Sequence, residues 1–341
     1  MPHSKQINAK KDRIDRTLKK RLKNLQKLKP RHFEDQEIIT LDSVSLGDLR
    51  QRYKPRHFPL HPAVLRSVPK FIRLPSGPRP VLIYGSDGGL LACRAPLNRP
   101  DLIQRLSDTI DHLDQYPPKN YKHKGIQRSE YKTRHLGVWA AYMKQPKYTK
   151  EHRDHSVVHD QFLQDNSELF REMSAVLGQM APGIFKEFQR YPLAKGQSLD
   201  CGAWAACVIN NGGNNPNQTE IHRDVKESQY GYSCIVSCGD YTGGDLILYD
   251  LGYILQISPG DILLFPDSLI HHSNEPAQGV RKSVVTFTQE NVYDYWHRQY
   301  HIPLRRKLAA EKRKEKAKDL KRKLREAKNL ELKAKRMLKG A

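Results

Sequence analysis

The chain has 341 residues, with 59 Lys+Arg against 37 Asp+Glu and a formal net charge of +22. That balance makes nucleic acid the first partner to consider. Its apolar runs, such as residues 203–209, fall far short of the ~18 residues a membrane span needs, which excludes a transmembrane helix. The first thirty residues lack the apolar block of a secretory signal, and Cys93, Cys201, Cys207, Cys234 and Cys238 form no CxxC pair. An intracellular, reduced protein without a zinc ribbon or disulfide framework is expected.

Residues 1–30 hold eleven Lys/Arg and two Asp, a net +9. Ile7, Ile14, Leu18, Leu22, Leu25 and Leu28 recur there at helical spacing until Pro30, which predicts a basic amphipathic arm. Residues 31–199 read as the N-terminal helical and loop part of the catalytic domain. Prolines from Pro55 to Pro80 suggest extended segments and loops up to about residue 100. Leu102, Ile103, Leu106, Ile110 and Leu113 then predict a helix, and residues 162–188 a second helical stretch broken near Pro182-Gly183.

From residue 200 to 304 the texture changes to short β-rich runs at 203–209, 230–236, 246–249, 253–257, 262–265 and 283–287, separated by Gly, Asn, Asp and Pro. Such a series predicts a barrel or sandwich, so the fold class is α+β. Residues 305–341 hold seventeen Lys/Arg and five Asp/Glu, a net +12, in a composition that favours helix. The chain between the arms nets only +1 and can bury an ordinary core. Lys312-Arg313-Lys314 and Lys321-Arg322-Lys323 suit a nuclear address, and both arms suit phosphate contacts that do not read sequence.

The β-rich part contains His222-Arg223-Asp224, then His271-His272, then Arg281 and Ser283. A His-x-Asp pair and one distant His compose the two-His, one-carboxylate face that holds non-haem iron(II). Residues i and i+2 at a strand end point the same way, so His222 and Asp224 can share one ion while the third ligand arrives from a neighbouring strand. A bidentate 2-oxo acid and dioxygen suit the open positions. Arg281, followed two residues on by Ser283, suits the far carboxylate of 2-oxoglutarate. A second copy of the pair, His152-Arg153-Asp154, sits in a charged stretch without the downstream His and Arg and is set aside.

Around these residues the sequence resembles the iron(II)/2-oxoglutarate dioxygenases, most closely the TET/JBP-like oxygenases of the fungal branch. The resemblance spans about residues 200–290 through Glu220-Ile221-His222-Arg223-Asp224, Gly243-Gly244-Asp245-Leu246, Pro259-Gly260-Asp261, His272-Ser273-Asn274 and Arg281-Lys282-Ser283. It implies a double-stranded β-helix (jelly-roll, cupin-like), Fe(II) and 2-oxoglutarate as cofactors, and hydroxylation of a C–H bond. The methyl of 5-methylcytosine or thymine in DNA is the implied substrate. The family pattern His-Ser-Asn selects His272 over His271 as the metal ligand.

Two other readings stand beside it: a hydroxylase of protein or RNA, and a nucleic-acid-binding barrel without turnover. The full set His222, Asp224, His272 and Arg281 speaks against the last, because binding alone has no chemical use for it. Tyr230, Tyr232, Tyr241 and Trp204 can stack on a flipped base, yet packing in the β-rich core is the expected role. Gly243-Gly244 and Pro259-Gly260-Asp261 are expected as turns, and residues 210–217 as a polar loop before the metal pair.

Overall fold

The computed structural model describes residues 20, 24, 31, 33–52, 60, 62–116, 132–140, 145–189, 201–212, 218–296, 298, 310–311 and 313–326. In chain order its elements are β1 (Glu37–Leu41), α1 (Leu46–Arg52), α2 (Pro62–Ser67), β2 (Ile72–Leu74), β3 (Val81–Gly85), β4 (Leu90–Pro96), α3 (Pro100–Asp114), β5 (Lys132–Trp139) and β6 (Lys147–Tyr148). Four helices follow: α4 (Lys150–Asp154), α5 (Ser156–Asp165), α6 (Ser167–Met180) and α7 (Pro182–Gln189). Then come β7 (Ala206–Asn211), β8 (Ser233–Cys238), β9 (Tyr241–Gly243), β10 (Leu246–Leu248), β11 (Tyr253–Leu255), β12 (Asp261–Phe265), β13 (His272–Asn274), β14 (Ala277–Gly279), β15 (Lys282–Phe287) and α8 (Glu290–Trp296).

A nine-stranded sheet runs β1-β3-β4-β12-β8-β15-β7-β5-β6, a four-stranded sheet runs β13-β10-β11-β2, and β9 pairs with β14 in a separate ribbon. From β7 onward the chain moves back and forth between the two sheets. It passes from β7 in the large sheet to a bridge at His222 beside β13, back to β8, across to β10 and β11, back to β12, across to β13, and home to β15. That alternation is the winding of a double-stranded β-helix. Side chains from both sheets meet in one core: Ile83, Leu91, Leu263 and Phe265 from the large sheet pack with Leu246, Leu248 and Leu255 from the small one. Ile235 packs on this core and pairs with Val285, so Ser283, two residues back on β15, faces the same way.

Helix α3 forms where the 3.6-residue spacing predicts it. Leu102, Leu106, Ile110 and Leu113 are all buried, each worth about 1.5–3 kcal/mol of apolar burial. Buried Arg134 of β5 donates to the carbonyls of Leu113 and Tyr116 and so satisfies the open C-terminal end of α3. The second helical stretch breaks twice, at Asn166 and at Ala181. Pro182 opens α7, where its missing N–H costs nothing.

Residues 31–199 contain more strand than the sequence suggests. β1, β3, β4, β5 and β6 all enter the large sheet, and β2 enters the small one, so the helix-and-loop reading of this part is corrected. β1, β2 and β6 are short, and β3 and β4 are buried on both faces, which hides the period-2 signal. β5 lies between the two predicted helical stretches, and Gly137 inside it takes φ +86.

The chain divides into two compact units, residues 1–293 and 294–341. In the second, described residues 313–326 form an exposed helix, with Leu320 and Leu324 each 61% exposed. The N-terminal arm lies outside the described residues except Lys20 and Asn24, both helical. Among the described residues no helix is long and apolar enough to cross a membrane. All five cysteines are buried, and none forms a disulfide.

Candidate metal and co-substrate site

The segment that carries His222 and Asp224 is not a regular strand, contrary to the expectation of a strand end. His222 makes a single two-bond bridge to His272: its N–H donates to the His272 carbonyl at 3.0 Å, and the His272 N–H donates back at 2.9 Å. Asn274 extends the junction. Its Oδ1 accepts from the Thr219 N–H at 3.1 Å and the Thr219 hydroxyl at 2.7 Å. His272 itself is set by β13 against β10, opposite Leu248.

These constraints place the two imidazoles 4.3 Å apart between ring centres, tilted by 54°. Nδ1 of His222 lies 2.6 Å from the Glu220 carbonyl and Nδ1 of His272 lies 2.9 Å from the Ile270 carbonyl. A carbonyl only accepts, so each Nδ1 carries the proton and each Nε2 keeps its lone pair. Both Nε2 atoms lie 3.7 Å from Oδ2 of Asp224, and one ligand atom from each of the three residues falls within 4.8 Å of the others. The edge of Phe265 meets the His272 ring at 5.0 Å and limits its rotation. His272 is 8% exposed, His222 13% and Asp224 34%, so the cluster opens to solvent on the carboxylate side. Behind it, burial pushes the Asp267 and Glu227 carboxyls well above the usual range, with the charge of Asp224 adding to the shift.

His271 points elsewhere. Its ring Nδ1 lies 2.9 Å from the Asp250 carboxylate, and its backbone N–H donates to the same oxygen at 2.6 Å. The other His-x-Asp pair is also accounted for. His152 is buried, stacks on Tyr148 at 4.5 Å, accepts from the Gly137 N–H at Nδ1 and meets Asp160 at 2.9 Å through Nε2. A short strand, β6, precedes it.

Arg281 lies between β14 of the ribbon and the start of β15. Its guanidinium sits 5.6 Å from the centre of the Tyr241 ring, and the Tyr241 hydroxyl is 2.6 Å from Ser237 Oγ. A Cβ on Gly244 would stand 2.9 Å from Arg281 Cδ and 3.0 Å from its Nε. Gly244 is therefore more than a turn residue: its missing side chain is the space the arginine occupies. Ser283 lies in register between Asn210 and Ser237, a polar row on the inward face, and its hydroxyl accepts from Asn210 Nδ2 at 3.3 Å. Gly244 leads into β10, whose Leu246 pairs with Asn274, so Arg281 lies beside the strand next to that of His272.

Two imidazole nitrogens and one carboxylate suit non-haem iron(II), and the cradle at Gly244 suits a fixed cation for a diacid. The residues present fit both groups. Tyr241, Ser237, Gly244 and Asn274 were not identified as site-building residues from the sequence, although Gly244 and Asn274 lie in the motifs that carry the resemblance. Tyr230, Tyr232, Tyr241 and Trp204 are all buried and pack in the core. Asn210 and Asn211 belong to β7, and residues 213–217 of the polar loop lie outside the described residues.

A barrel of this winding with a His-Asp-His cluster defines a non-haem iron oxygenase scaffold. Residues 136–298 match the Tet_JBP family model, the oxygenase domain of the 2OGFeDO superfamily, a domain of iron(II)- and 2-oxoglutarate-dependent dioxygenases. The match begins at β5, well before the region of the sequence resemblance, and does not distinguish a fungal branch. A PKHD-type hydroxylase from Psychrobacter sp. is 35% identical over 80 residues, which are 21% of this chain and 31% of that protein. The chain thus spans under a third of that relative's length. Among solved structures, NgTET1 in complex with 5mC DNA is similar with a TM-score of 0.52 at 14% identity, over 69% of this chain and 93% of that one. A prolyl hydroxylase from Trichoplax adhaerens is similar with a TM-score of 0.38 at 13% identity, over 59% and 85%.

Proposed function

We propose that this protein is an iron(II)- and 2-oxoglutarate-dependent dioxygenase that oxidises a methylated nucleobase, 5-methylcytosine or thymine, in DNA. The observation that carries the reading is the convergence of His222 Nε2, His272 Nε2 and the Asp224 carboxylate, with both Nδ1 atoms committed to backbone carbonyls. His222, Asp224 and His272 hold the metal. Iron(II) with 2-oxoglutarate and dioxygen supplies the power to hydroxylate a C–H bond, the co-substrate leaving as succinate and carbon dioxide.

The chain's own residues do the positioning. The carbonyls of Glu220 and Ile270 keep the Nδ1 protons, so each Nε2 binds without losing one. Asp224 brings a negative charge to offset the ion. Arg281 meets the distal carboxylate of 2-oxoglutarate, and the Ser283 hydroxyl adds a hydrogen bond to it. Phe265 and the core beneath it exclude water from one side of His272.

The structural likeness to NgTET1 bound to 5mC DNA supports DNA as the substrate class. So do the two arms, which hold net charges of +9 and +12, act as a sequence-independent tether, and give the chain a nuclear address. Likeness to a PKHD-type hydroxylase supports hydroxylation as the reaction, and the second reading places that reaction on a protein. Incubation with iron(II), 2-oxoglutarate and methylated DNA, scored separately for succinate and for modified base, distinguishes them. Succinate coupled to base oxidation is expected. Succinate that DNA does not stimulate, with oxidation of an added protein instead, would replace the DNA reading with the second.

A further inference from the structure

Lys282 follows Arg281 directly and is only 5% exposed. Neighbours on a strand point to opposite faces, so while Arg281 lies against Tyr241 and Gly244, Lys282 turns toward α3. There its Nζ donates to Asp111 Oδ2 at 2.6 Å, to Ser107 Oγ at 3.0 Å and to the Ser107 carbonyl at 3.4 Å, three acceptors for three protons. The register partner of Lys282 on β7, Asn211, donates to Asp114 Oδ2 at 2.9 Å, further along the same helix. A buried ammonium is costly unless it is paired, so the start of β15 has one favoured seat on α3. The metal cluster makes no use of Lys282 or Asp111.

The geometry points to Lys282 and Asp111 as positioning residues for the co-substrate: their ion pair anchors the first residue of β15 to α3 and thereby aims Arg281 at the distal carboxylate of 2-oxoglutarate. The inference rests on the placement of Arg281 proposed above. Two supports grip the arginine's neighbourhood. Tyr241 and Gly244 shape the space around the side chain, and α3 fixes the backbone from the other face of the sheet. Asp111 is well suited to a test because its side chain is 60% exposed while Leu106 and Ile110 hold α3 on the sheet.

Equilibrium binding to iron(II)-loaded protein without dioxygen reads the effect apart from turnover. The two ligands are 2-oxoglutarate and 2-oxobutyrate, which chelates metal in the same way but has no distal carboxylate. Asp111→Ala is expected to weaken 2-oxoglutarate by about five- to tenfold, a coupling of ordinary size for residues in one network, and to leave 2-oxobutyrate unchanged. Lys282→Met should act in the same direction, Asp111→Glu should recover most of the affinity, and Asp108→Ala on the same helix should match the parent. Equal loss of both ligands in Asp111→Ala, or unchanged 2-oxoglutarate binding in both variants, would overturn the proposal. Arg281→Ala separates the two levels. If it binds 2-oxoglutarate like the parent, the placement of Arg281 fails and this inference with it. If it weakens 2-oxoglutarate alone while Asp111→Ala does not, only this inference fails.

Discussion

Two groups of residues in the barrel, the metal cluster and the surroundings of Arg281, are held by different means. At His222 and His272 the holding is local: each ring is tied to a carbonyl two residues before it, and the two segments pair backbone to backbone through one bridge. Arg281 depends on remote parts of the chain instead. Its surroundings come from Tyr241 and Gly244, and the strand behind it is seated on α3, about 170 residues earlier. The proposed metal cluster is therefore expected to survive changes in the ribbon and α3, and the proposed co-substrate affinity to fall.

The sharpest break in that comparison comes at the metal. His222→Ala, Asp224→Ala and His272→Ala should each abolish iron-dependent succinate formation, while His271→Ala, whose ring pairs with Asp250, should keep most of it. Succinate assays with metal analysis check this. Arg281→Ala comes next: losing one partner of a buried charge pair costs about 2–5 kcal/mol, so the 2-oxoglutarate requirement should rise well over tenfold with iron content unchanged. Gly244→Ala should show the remote dependence more gently. A side chain there meets Arg281 and must adopt φ +72, a strain of about 1–2 kcal/mol, so 2-oxoglutarate binding should weaken severalfold while iron stays.

A fourth effect lies outside both groups. Burial lowers the pKa of His159 to about 4, against 6.5 for an ordinary histidine. The unfolded chain thus takes up a proton between pH 6.5 and 4 that the folded chain refuses. Stability is full above that window and falls as pH drops through it, by about 2–3 kcal/mol. Acid melts of His159→Leu should show a flatter decline there, with metal and co-substrate affinities at neutral pH near those of the parent.

The same division explains what the sequence made legible. The grouping of His222, Asp224 and His272 is legible because ligand chemistry fixes residue type and short spacing, whereas strand alternation leaves His271 and His272 open and only the family resemblance selects His272. The strands at 206–211, 233–238 and 261–265 follow from apolar runs between turn residues. What stayed hidden is non-local. A buried Lys282 reads as one more surface charge until α3 is seen above it. Gly244 reads as a turn until Arg281 fills the space beside it. β5 falls between the two predicted helices, where no strand is expected, because its place between β7 and β6 is decided by partners distant in sequence.

In the proposed reading one cluster, His222-Asp224-His272, binds iron(II), and Arg281 holds 2-oxoglutarate beside it. Anaerobic titration of the iron(II)-loaded protein with 2-oxoglutarate, followed by the visible absorption that chelation of iron(II) by a 2-oxo acid produces, tests both halves at once. A saturable band is expected in the parent, a band needing far more 2-oxoglutarate in Arg281→Ala, and none in His272→Ala. A parent that binds iron(II) yet forms no band, or a His272→Ala protein that forms the parent's band, would contradict it.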